Sequence, residues 1–339
     1  MKVWIDFSNS PHPLLFAPVT RRLQELGHEV GITARDNAQT VELTLQRWPQ
    51  ATIFGGESPR SRAGKARAMG ARVHDLRRWA RGFAPDVALS HNSYGQILAA
   101  RSLGLRVVTA MDYEGQPANH LAFRLAHTVL MPEALRGSGV AAQGAREGRA
   151  RFYPGFKEEL YLGDFRHDPG VAGSLVPSRN GSPLVVIRTP PSRAAYHRFG
   201  NPLFAAALER LGRAGAHCVA LVRHAEQRTA IEALELKNVV VPDRAVDSRS
   251  LIYEADLVVG AGGTMTREAA LMSVPTYSVF AGEQPAVDRE LERRGMLRRL
   301  RQADELLPLR RRTDAPRPLA ALRDRAEELV EVFIDAVTA

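Results

Sequence analysis

The chain alternates short apolar segments rich in β-branched residues with longer segments in which apolar residues recur at helical spacing. The short segments predict strands and the longer segments predict helices. Six strands are predicted in the first half, at residues 2–7, 29–34, 52–54, 86–90, 106–110 and 128–131. Five more are predicted in the second half, at residues 184–187, 218–221, 238–241, 257–259 and 276–279. This alternation is typical of βα units that form parallel sheets.

The helical patterns have recognisable ends. The first predicted helix spans residues 18–26 and stops at Gly27, a residue type that favours the C-cap position. In the second half, helices are predicted at residues 203–213, 225–235, 248–254, 266–272 and 287–294. A final pattern over residues 318–337 places its apolar side chains on one helical face, which predicts a helix that packs against the rest of the chain.

A stretch rich in Gly, Pro and Ser separates the two series, and 339 residues are comfortable for two domains of about 150 residues each. We predict an N-terminal domain over residues 1–155, a C-terminal domain over 156–317 and a closing helix over 318–339 that packs across the junction. Each half has the pattern of a doubly wound sheet. Ligands of such folds bind at the carboxyl ends of the strands, so the candidate chemistry is sought in the loops there.

The charge balance favours an anionic partner, since 46 Lys and Arg residues exceed 37 Asp and Glu residues to give a net charge of +9. A composition rich in arginine accounts for the same number without any partner. No apolar run approaches the length of about 20 residues that crosses a bilayer, so a cytoplasmic location is expected. The single cysteine, Cys218, excludes an intrachain disulfide and is expected to be a buried, inert thiol.

Basic residues are concentrated in residues 60–81, which contain seven arginines and one lysine but a single acidic residue, Asp75. The segment fits an anionic or lipid-linked acceptor, or a peripheral contact with the inner face of the membrane. A solvated basic helix is the alternative. Nucleic acid is not expected, because no recognition module or aromatic stacking pattern accompanies the charge. No metal is expected either, because the sequence lacks paired Cys/His spacing and an acidic Asp-x-Asp cluster.

Small residues follow the predicted strand 257–259 and lead directly into a helical pattern. Gly262 and Gly263 allow a ligand to approach the backbone, and the N–H groups at the start of the helix, near Thr264, favour a phosphate. A tight turn between strand and helix is the alternative. The loop has neither the Gly-x-Gly-x-x-Gly nor the P-loop pattern. Glu268 lies one turn further on, where its carboxylate is suited to accept hydrogen bonds from ribose hydroxyls.

Other strand ends of the second half supply further candidates. Arg188 ends the first of these strands, and its guanidinium is suited to neutralise a leaving diphosphate, unless it is a surface arginine. The loop before the 248–254 helix is expected to contact the nucleobase, and the loop after strand 276–279 is expected to bind sugar hydroxyls. The candidates in these two loops are Pro242, Arg244 and Val246 for the base and Glu283, Gln284 and Asp288 for the sugar.

Residues 255–280, ADLVVGAGGTMTREAALMSVPTYSVF, resemble the nucleotide-sugar half of GT-B glycosyltransferases, notably the lipid-linked N-acetylglucosaminyltransferase of peptidoglycan synthesis, and of non-hydrolysing UDP-N-acetylglucosamine 2-epimerases. The resemblance implies that Gly262, Gly263 and Thr264 hold the diphosphate and that Glu268 holds the ribose. It implies a nucleotide diphosphate sugar, UDP-linked, as the substrate and no separate cofactor.

Four segments identify the whole chain as a member of a prokaryotic GT-B-like family, domain of unknown function 354: MKVWIDFSNSPH, ITARDNAQTVEL, YPGFKEELYL and GAGGTMTREAAL. The implied fold class is α/β of the GT-B type. It consists of two doubly wound Rossmann-like domains whose parallel sheets face each other across a cleft.

The loop after the first strand contains His12, fifteen positions before Gly27, and GT-B transferases similarly carry a histidine at this spacing. A neutral imidazole there is suited to take a proton from an acceptor hydroxyl. The alternative is a histidine that caps the helix or contacts phosphate without proton transfer. Further polar residues at strand ends of this half are expected on the acceptor side: Asn9, His91, Asn92 and Tyr94.

Asp112 and Glu114 follow the strand at 106–110. The resembling epimerases carry a His-x-Glu-Ala-Gly stretch at this place, which supplies an acid/base carboxylate, and only Glu114 and Gly115 match it. Their Gly-Asp-Thr loop and Arg-Pro-Glu stretch are absent from this chain.

Three functions therefore fit the sequence. The first is a metal-independent glycosyltransferase that moves a sugar from a nucleotide diphosphate sugar to an acceptor, with His12 as the base. The second is a nucleotide-sugar 2-epimerase in which Asp112 and Glu114 are the acid and the base. The third is a non-catalytic protein that binds a nucleotide sugar or an anionic surface.

Overall fold

A computed structural model describes residues 1–37, 39–56, 61–190, 201–316 and 318–339, and within these ranges it leaves out the side chain of Arg62. The described chain forms two compact units. The first unit comprises Met1–Gly163 and Arg323–Ala339, and the second comprises Asp164–Leu322. The boundary predicted from the sequence lies after residue 155. In the structure the first unit extends eight residues further, to Gly163.

The first unit contains a seven-stranded parallel sheet in the order β3-β2-β1-β4-β5-β6-β7. Its strands are β1 (Lys2–Phe7), β2 (Glu29–Arg35), β3 (Thr52–Phe54), β4 (Val87–His91), β5 (Arg106–Ala110), β6 (Thr128–Pro132) and β7 (Ala150–Tyr153). The strand order reverses between β1 and β4, which is the switch point at which doubly wound sheets bind ligands. The predicted doubly wound architecture of this half is therefore confirmed.

The helices of the first unit connect these strands. They are α1 (His12–Glu25), α2 (Thr40–Leu45), α3 (Arg62–Phe83), α4 (Tyr94–Ser102), α5 (Asn119–Leu125), α6 (Val140–Gln143) and α7 (Lys157–Leu162). A 3₁₀ turn lies at Glu133–Leu135. The predicted start of α1 at residue 18 was wrong: Pro18 lies inside the helix, which begins at His12 with Pro13 in its first turn. Proline is tolerated in a first turn because the N–H that it lacks has no partner there.

The second unit contains a six-stranded parallel sheet in the order β10-β9-β8-β11-β12-β13, so it is doubly wound as predicted. Its strands are β8 (Leu184–Arg188), β9 (His217–Leu221), β10 (Val239–Val240), β11 (Leu257–Gly260), β12 (Thr276–Ser278) and β13 (Arg298–Arg299). Its helices are α8 (Gly170–Leu175), α9 (Pro202–Arg213), α10 (Ala225–Glu232), α11 (Ser248–Glu254), α12 (Thr264–Leu271) and α13 (Ala286–Arg293), with a 3₁₀ turn at Ala303–Leu306.

Two strands escaped the sequence-based prediction, and both lie at the edge of a sheet. Strand β7 begins Ala150-Arg151, and strand β13 consists of two exposed arginines, so neither has the apolar pattern by which strands were identified. Edge strands need less apolar character because they are covered less completely. Cys218 in β9 is fully buried, and burial raises the pKa of its thiol to about 12, which leaves it inert as predicted.

The last helix, α14 (Leu319–Thr338), packs on the first unit through residues Arg323–Ala339. Arg106 donates hydrogen bonds to the carbonyl oxygens of Val337 and Ala336, at 2.8 and 2.6 Å. The ring of Phe333 lies 6.4 Å from that of Phe16 and is fully buried. Among the helices that the structure describes, none combines the length and the apolar character that crossing a bilayer requires.

Candidate functional site

A pocket of about 620 Å³ opens in the first unit at the carboxyl ends of its central strands. The loops after β1, β3, β4 and β5 form it together with α3 and α7. Six of the residues selected from the sequence line this pocket: Asn9, His12, His91, Asn92, Tyr94 and Asp112. Glu114 is not among the lining residues, and its main-chain carbonyl accepts a hydrogen bond from Gln143 at 2.7 Å. The structure therefore brings Asp112 to the pocket and leaves Glu114 outside its lining.

His12 begins α1 and is only 4% exposed. Its Nδ1 accepts a hydrogen bond from the main-chain N–H of Ser8 at 3.2 Å. Because a main-chain N–H can only donate, this bond places the proton of the neutral ring on Nε2. Burial, followed by the nearby His91 and Lys157, holds the pKa of His12 well below its usual value, although Asp112 opposes the shift. At neutral pH His12 is thus a neutral hydrogen-bond donor through Nε2, which disfavours the predicted role as a base.

Asp112 is the centre of a buried charge cluster in the same pocket. Lys157 Nζ lies 2.7 Å from Asp112 Oδ2, and His91 Nε2 lies 3.2 Å from Asp112 Oδ1. Burial and the nearby Lys157 lower the pKa of His91, whereas Asp112 raises it. The rings of His91 and His12 are 5.3 Å apart. The cluster therefore joins a carboxylate, an ammonium group and two neutral imidazoles within reach of one ligand.

Lys157 was not among the residues selected from the sequence. It is the first residue of α7 and lies in the family segment YPGFKEELYL, so a charged residue in that segment was the available signal. Only the packing of α7 on the first unit shows that its side chain, 13% exposed, faces Asp112.

The loop after β4 presents a second polar group to the pocket. Asn92 adopts a left-handed conformation, with φ of 54°, that Asn tolerates better than most residues. Its Nδ2 donates to Tyr94 Oη at 2.8 Å and to Asn119 Oδ1 at 2.9 Å, while its buried Oδ1 accepts no hydrogen bond from the described residues. Tyr94 in turn donates to Gln116 at 2.6 Å. Burial raises the pKa of Tyr94 to about 12, so its hydroxyl remains protonated at neutral pH.

A buried ion pair holds the basic helix α3 against the sheet. Arg72 Nη2 donates to both carboxylate oxygens of Asp6, at 2.9 and 2.7 Å, and Arg72 Nη1 donates to the carbonyl of Phe54 at 2.9 Å. Thr33 and Ser93 also donate to Asp6, which is fully buried. The predicted basic segment begins at residue 60, which lies outside the described residues. Its helix, α3, is more than a solvated basic helix, because Arg72 is buried.

The two buried histidines predict how stability depends on pH. In the unfolded chain they bind protons below about pH 6.5, whereas the folded protein resists protonation because their pKa values are lowered. The free energy of unfolding is therefore highest above that pH and decreases as the pH falls below it. The slope reaches about 1.4 kcal/mol per pH unit for each histidine.

Urea denaturation at several pH values between about 7.5 and about 5.5 measures this slope. The His12→Gln variant is expected to show a shallower pH dependence than the wild type. His74→Gln is the matched control, because His74 is exposed on α3. Equal slopes for the wild type and the His12 variant would contradict the assignment.

In the second unit, the glycine loop connects β11 to α12. A Cβ on Gly260 would lie 2.3 Å from Thr266 Oγ1, and a Cβ on Gly262 would lie 3.3 Å from the ring of Phe280. Gly262 and Gly263 also have φ values of 80° and 87°. Close packing thus explains why Gly260 and Gly262 lack side chains. This agrees with the alternative interpretation, in which the glycines form a tight turn between strand and helix. A Cβ on Gly263 would meet nothing within 4 Å, so this residue faces open space.

Helix α12 begins at Thr264, and its N-cap residue, Gly263, has no side chain that could cap the first turn. Unpaired N–H groups at a helix start attract anions. Arg188 lies beside this loop, since it pairs in register with Gly260 across β8 and β11. It donates to the carbonyls of Leu221 and Val222 at 3.3 and 3.2 Å.

Two other charged groups influence Arg188. Burial and the nearby Arg223 lower the pKa of Arg188 to about 10, whereas Glu268 opposes the shift. The structure thus gathers two guanidinium groups and the 5% exposed Glu268 around the end of β8. Arg223 also follows a strand of this unit, but the sequence favoured Arg188 over it for the diphosphate.

The candidates for the sugar and the base have different surroundings. Asp288 is 1% exposed and accepts a hydrogen bond from Arg267 at 2.7 Å, so it has a structural partner. Glu283 is exposed, and Gln284 donates to Glu292 at 3.0 Å. In the loop predicted to contact the base, Arg244 is exposed, Pro242 and Val246 are half-buried, and the Pro242 carbonyl accepts a hydrogen bond from Arg228. The roles of all these residues stay predictions.

The fold and its two strand-end sites define an α/β protein of the GT-B type, with two Rossmann-like units that each contain a parallel sheet. The chain belongs to the family described as "Protein of unknown function (DUF354)", whose model matches residues 1–338. A relative in Methanocaldococcus jannaschii, "Uncharacterized protein MJ0665", is 26% identical over 309 residues, which make up 86% of this chain and 85% of the relative.

Solved structures share the fold at low sequence identity. The UDP-GlcNAc 2-epimerase from Neisseria meningitidis, bound to UDP-GlcNAc, is 14% identical with a TM-score of 0.73, and the match covers 99% of this chain and 100% of that chain. The Methanocaldococcus jannaschii UDP-GlcNAc 2-epimerase, in complex with UDP-GlcNAc and UDP, is 12% identical with a TM-score of 0.71 and the same coverage. The glycotransferase of kitacinnamycin is 18% identical with a TM-score of 0.58, covering 99% of each chain. The predicted fold class is thus confirmed.

Proposed function

We propose that this protein is an enzyme that acts on a nucleotide diphosphate sugar, and that it is a metal-independent glycosyltransferase. The observation that carries the proposal is the pocket of about 620 Å³ in the first unit, with Asp112, Lys157 and His91 in its lining. Pockets of about 300–1,000 Å³ enclose most of a small ligand, so this pocket has room for an acceptor. In this proposal the second unit binds the nucleotide.

The second unit supplies the groups that a diphosphate needs. The uncapped first turn of α12 and the open backbone at Gly263 offer N–H donors, and the Arg188 guanidinium offers a compensating charge. The Glu268 carboxylate accepts hydrogen bonds from the ribose hydroxyls. A UDP-linked donor is supported by the bound UDP-GlcNAc and UDP in epimerases that share the fold.

Transfer forms a bond between an acceptor oxygen and the anomeric carbon and breaks the bond between that carbon and the diphosphate oxygen. The proton of the acceptor hydroxyl must move to a base in the first unit. Asp112 is that base in our proposal, because its carboxylate lines the pocket and the tautomer of His12 leaves Nε2 protonated. His12 then donates a hydrogen bond to the bound ligand, and Lys157 and His91 orient the carboxylate.

The donor site is tested by the affinity for UDP. We expect the Arg188→Gln variant to bind UDP about tenfold more weakly, since a hydrogen bond to a charged group contributes about 1.5–3 kcal/mol. Isothermal titration calorimetry measures the dissociation constant. Arg213→Gln is the matched control, because the Arg213 side chain is 74% exposed on α9 in the same unit. If the wild type does not bind UDP, or the Arg188 variant binds it equally well, the donor site is placed wrongly.

The second candidate is a nucleotide-sugar 2-epimerase. It is favoured by the position of Asp112, whose carboxylate lines the pocket just beyond β5, where the resembling epimerases carry an acid/base carboxylate. Incubation of UDP-GlcNAc with the protein alone in D₂O separates the two candidates by proton NMR. Epimerisation breaks the bond between C2 and its hydrogen, so deuterium enters C2 and the C2 epimer appears. A transferase leaves C2 unchanged and releases UDP only when an acceptor is present.

A further inference from the structure

The pocket of the first unit carries more positive than negative charge. Its lining contains four cationic side chains, Arg35, Lys65, Arg72 and Lys157, but one carboxylate, Asp112. Asp6 lies behind the lining and pairs with Arg72. Cations therefore outnumber carboxylates by two even when Asp6 is included.

This positive charge is concentrated at the end of the pocket formed by β2, β3 and α3. Arg35 ends β2 and pairs in register with Phe54, whose carbonyl accepts the hydrogen bond from Arg72. The Arg72 guanidinium is near enough to lower the pKa of Arg35, although burial contributes more. Lys65 is exposed on α3, two turns before Arg72, and forms no ion pair with the described residues.

Bare backbone accompanies these cations. Gly55 and Gly56 follow β3 and line the pocket, and a Cβ on Gly56 would meet nothing within 4 Å. The opposite end of the pocket holds the cluster of Asp112, Lys157 and His91. A single ligand that fills the pocket thus meets acid/base groups and a separate concentration of positive charge.

We infer that the substrate held by the first unit carries an oxyanion, a phosphoryl or carboxylate group, which binds to Arg35 and Lys65 beside the backbone of Gly55 and Gly56. The inference rests on the proposed function and specifies its acceptor: a hydroxyl-bearing compound with an anionic group beyond the reacting hydroxyl. Guanidinium and ammonium groups recognise both kinds of oxyanion, guanidinium in a bidentate manner.

Calorimetric titration with glucose, glucose 6-phosphate and glucuronate tests the inference, because the three probes differ in the anionic group. The titrations use the Arg188→Gln protein, in which phosphate binding by the second unit is weakened. We expect both anionic probes to bind about tenfold more tightly than glucose, as one charge-assisted hydrogen bond provides. Binding of only one anionic probe identifies which oxyanion the site takes.

The double variant Arg35→Gln, Lys65→Gln is expected to lose this preference. Arg67→Gln is the control and is expected to retain it, since Arg67 is exposed on α3 and does not line the pocket. The inference is overturned if glucose binds as tightly as the anionic probes, if no anionic probe binds, or if the double variant keeps the preference.

The outcome is distinct from failure of the proposed function. Loss of UDP binding together with a retained preference for anionic probes would remove the nucleotide-sugar function and leave an anion-binding pocket. Normal UDP binding without the preference would leave that function and remove the anionic acceptor.

Discussion

Replacement of Asp112 by Asn is expected to lower kcat by about 10²–10⁴-fold, the range over which general acid and base groups contribute. The amide has nearly the same shape as the carboxylate but cannot take the proton of an acceptor hydroxyl. It also removes the negative charge with which Lys157 Nζ pairs at 2.7 Å. The measurement is the release of UDP from the donor sugar in the presence of an acceptor, at saturating donor.

The Asp75→Asn variant is the control, since Asp75 lies on α3, is 37% exposed and does not line the pocket. Glu114→Gln distinguishes the two candidate functions. The epimerase hypothesis gives Glu114 an acid/base role, so in an epimerase both variants lose activity. In a transferase with Asp112 as the base, only the Asp112 variant does. Full activity of Asp112→Asn would remove this residue from the mechanism.

Replacement of Arg72 by Met is expected to destabilise the protein by about 3–5 kcal/mol, because it leaves the carboxylate of Asp6 buried without its cation. That is a large share of the about 5–15 kcal/mol by which folded domains are usually stable. The physical reason is the geometry: Arg72 bridges Asp6 in β1, which is fully buried, and the carbonyl of Phe54 in β3, which is partly buried. Urea denaturation measures the change.

Arg67→Met is the control for this prediction, because it removes an exposed arginine from the same helix. The double variant Asp6→Leu, Arg72→Met is expected to recover part of the lost stability, since no unpaired charge then remains buried. A loss of less than about 1 kcal/mol in the single variant, the value typical of exposed ion pairs, would show that the pair is not buried as described.

The strands were predictable because their information is local. Val107 and Val108 in β5, or Val258 and Val259 in β11, belong to short β-branched segments that are buried on both faces of a parallel sheet. Helix α11 was predicted with its observed ends, and Asp247 caps it by accepting a hydrogen bond from Arg249. The pattern gave no signal for β13, whose residues are both arginines.

The candidate site was predictable only in part. Residues that follow central strands, such as His12, His91 and Asp112, were selected because parallel strands bring their carboxyl ends to one edge of the sheet. Lys157 and Arg72 approach the same pocket from helices, and their roles depend on packing between distant parts of the chain. The protonation of His12 depends on one hydrogen bond from Ser8, which no sequence pattern specifies.

The sequence by itself determined the two doubly wound sheets, the family and the strand-end loops, because hydrophobic periodicity and short motifs are properties of neighbouring residues. Only the tertiary structure decided that Asp112 rather than Glu114 lines the pocket, that Arg72 is balanced by Asp6, and that Gly263 rather than Gly262 faces open space. Those outcomes depend on burial and on distances between residues far apart in the chain, and local sequence patterns determine neither.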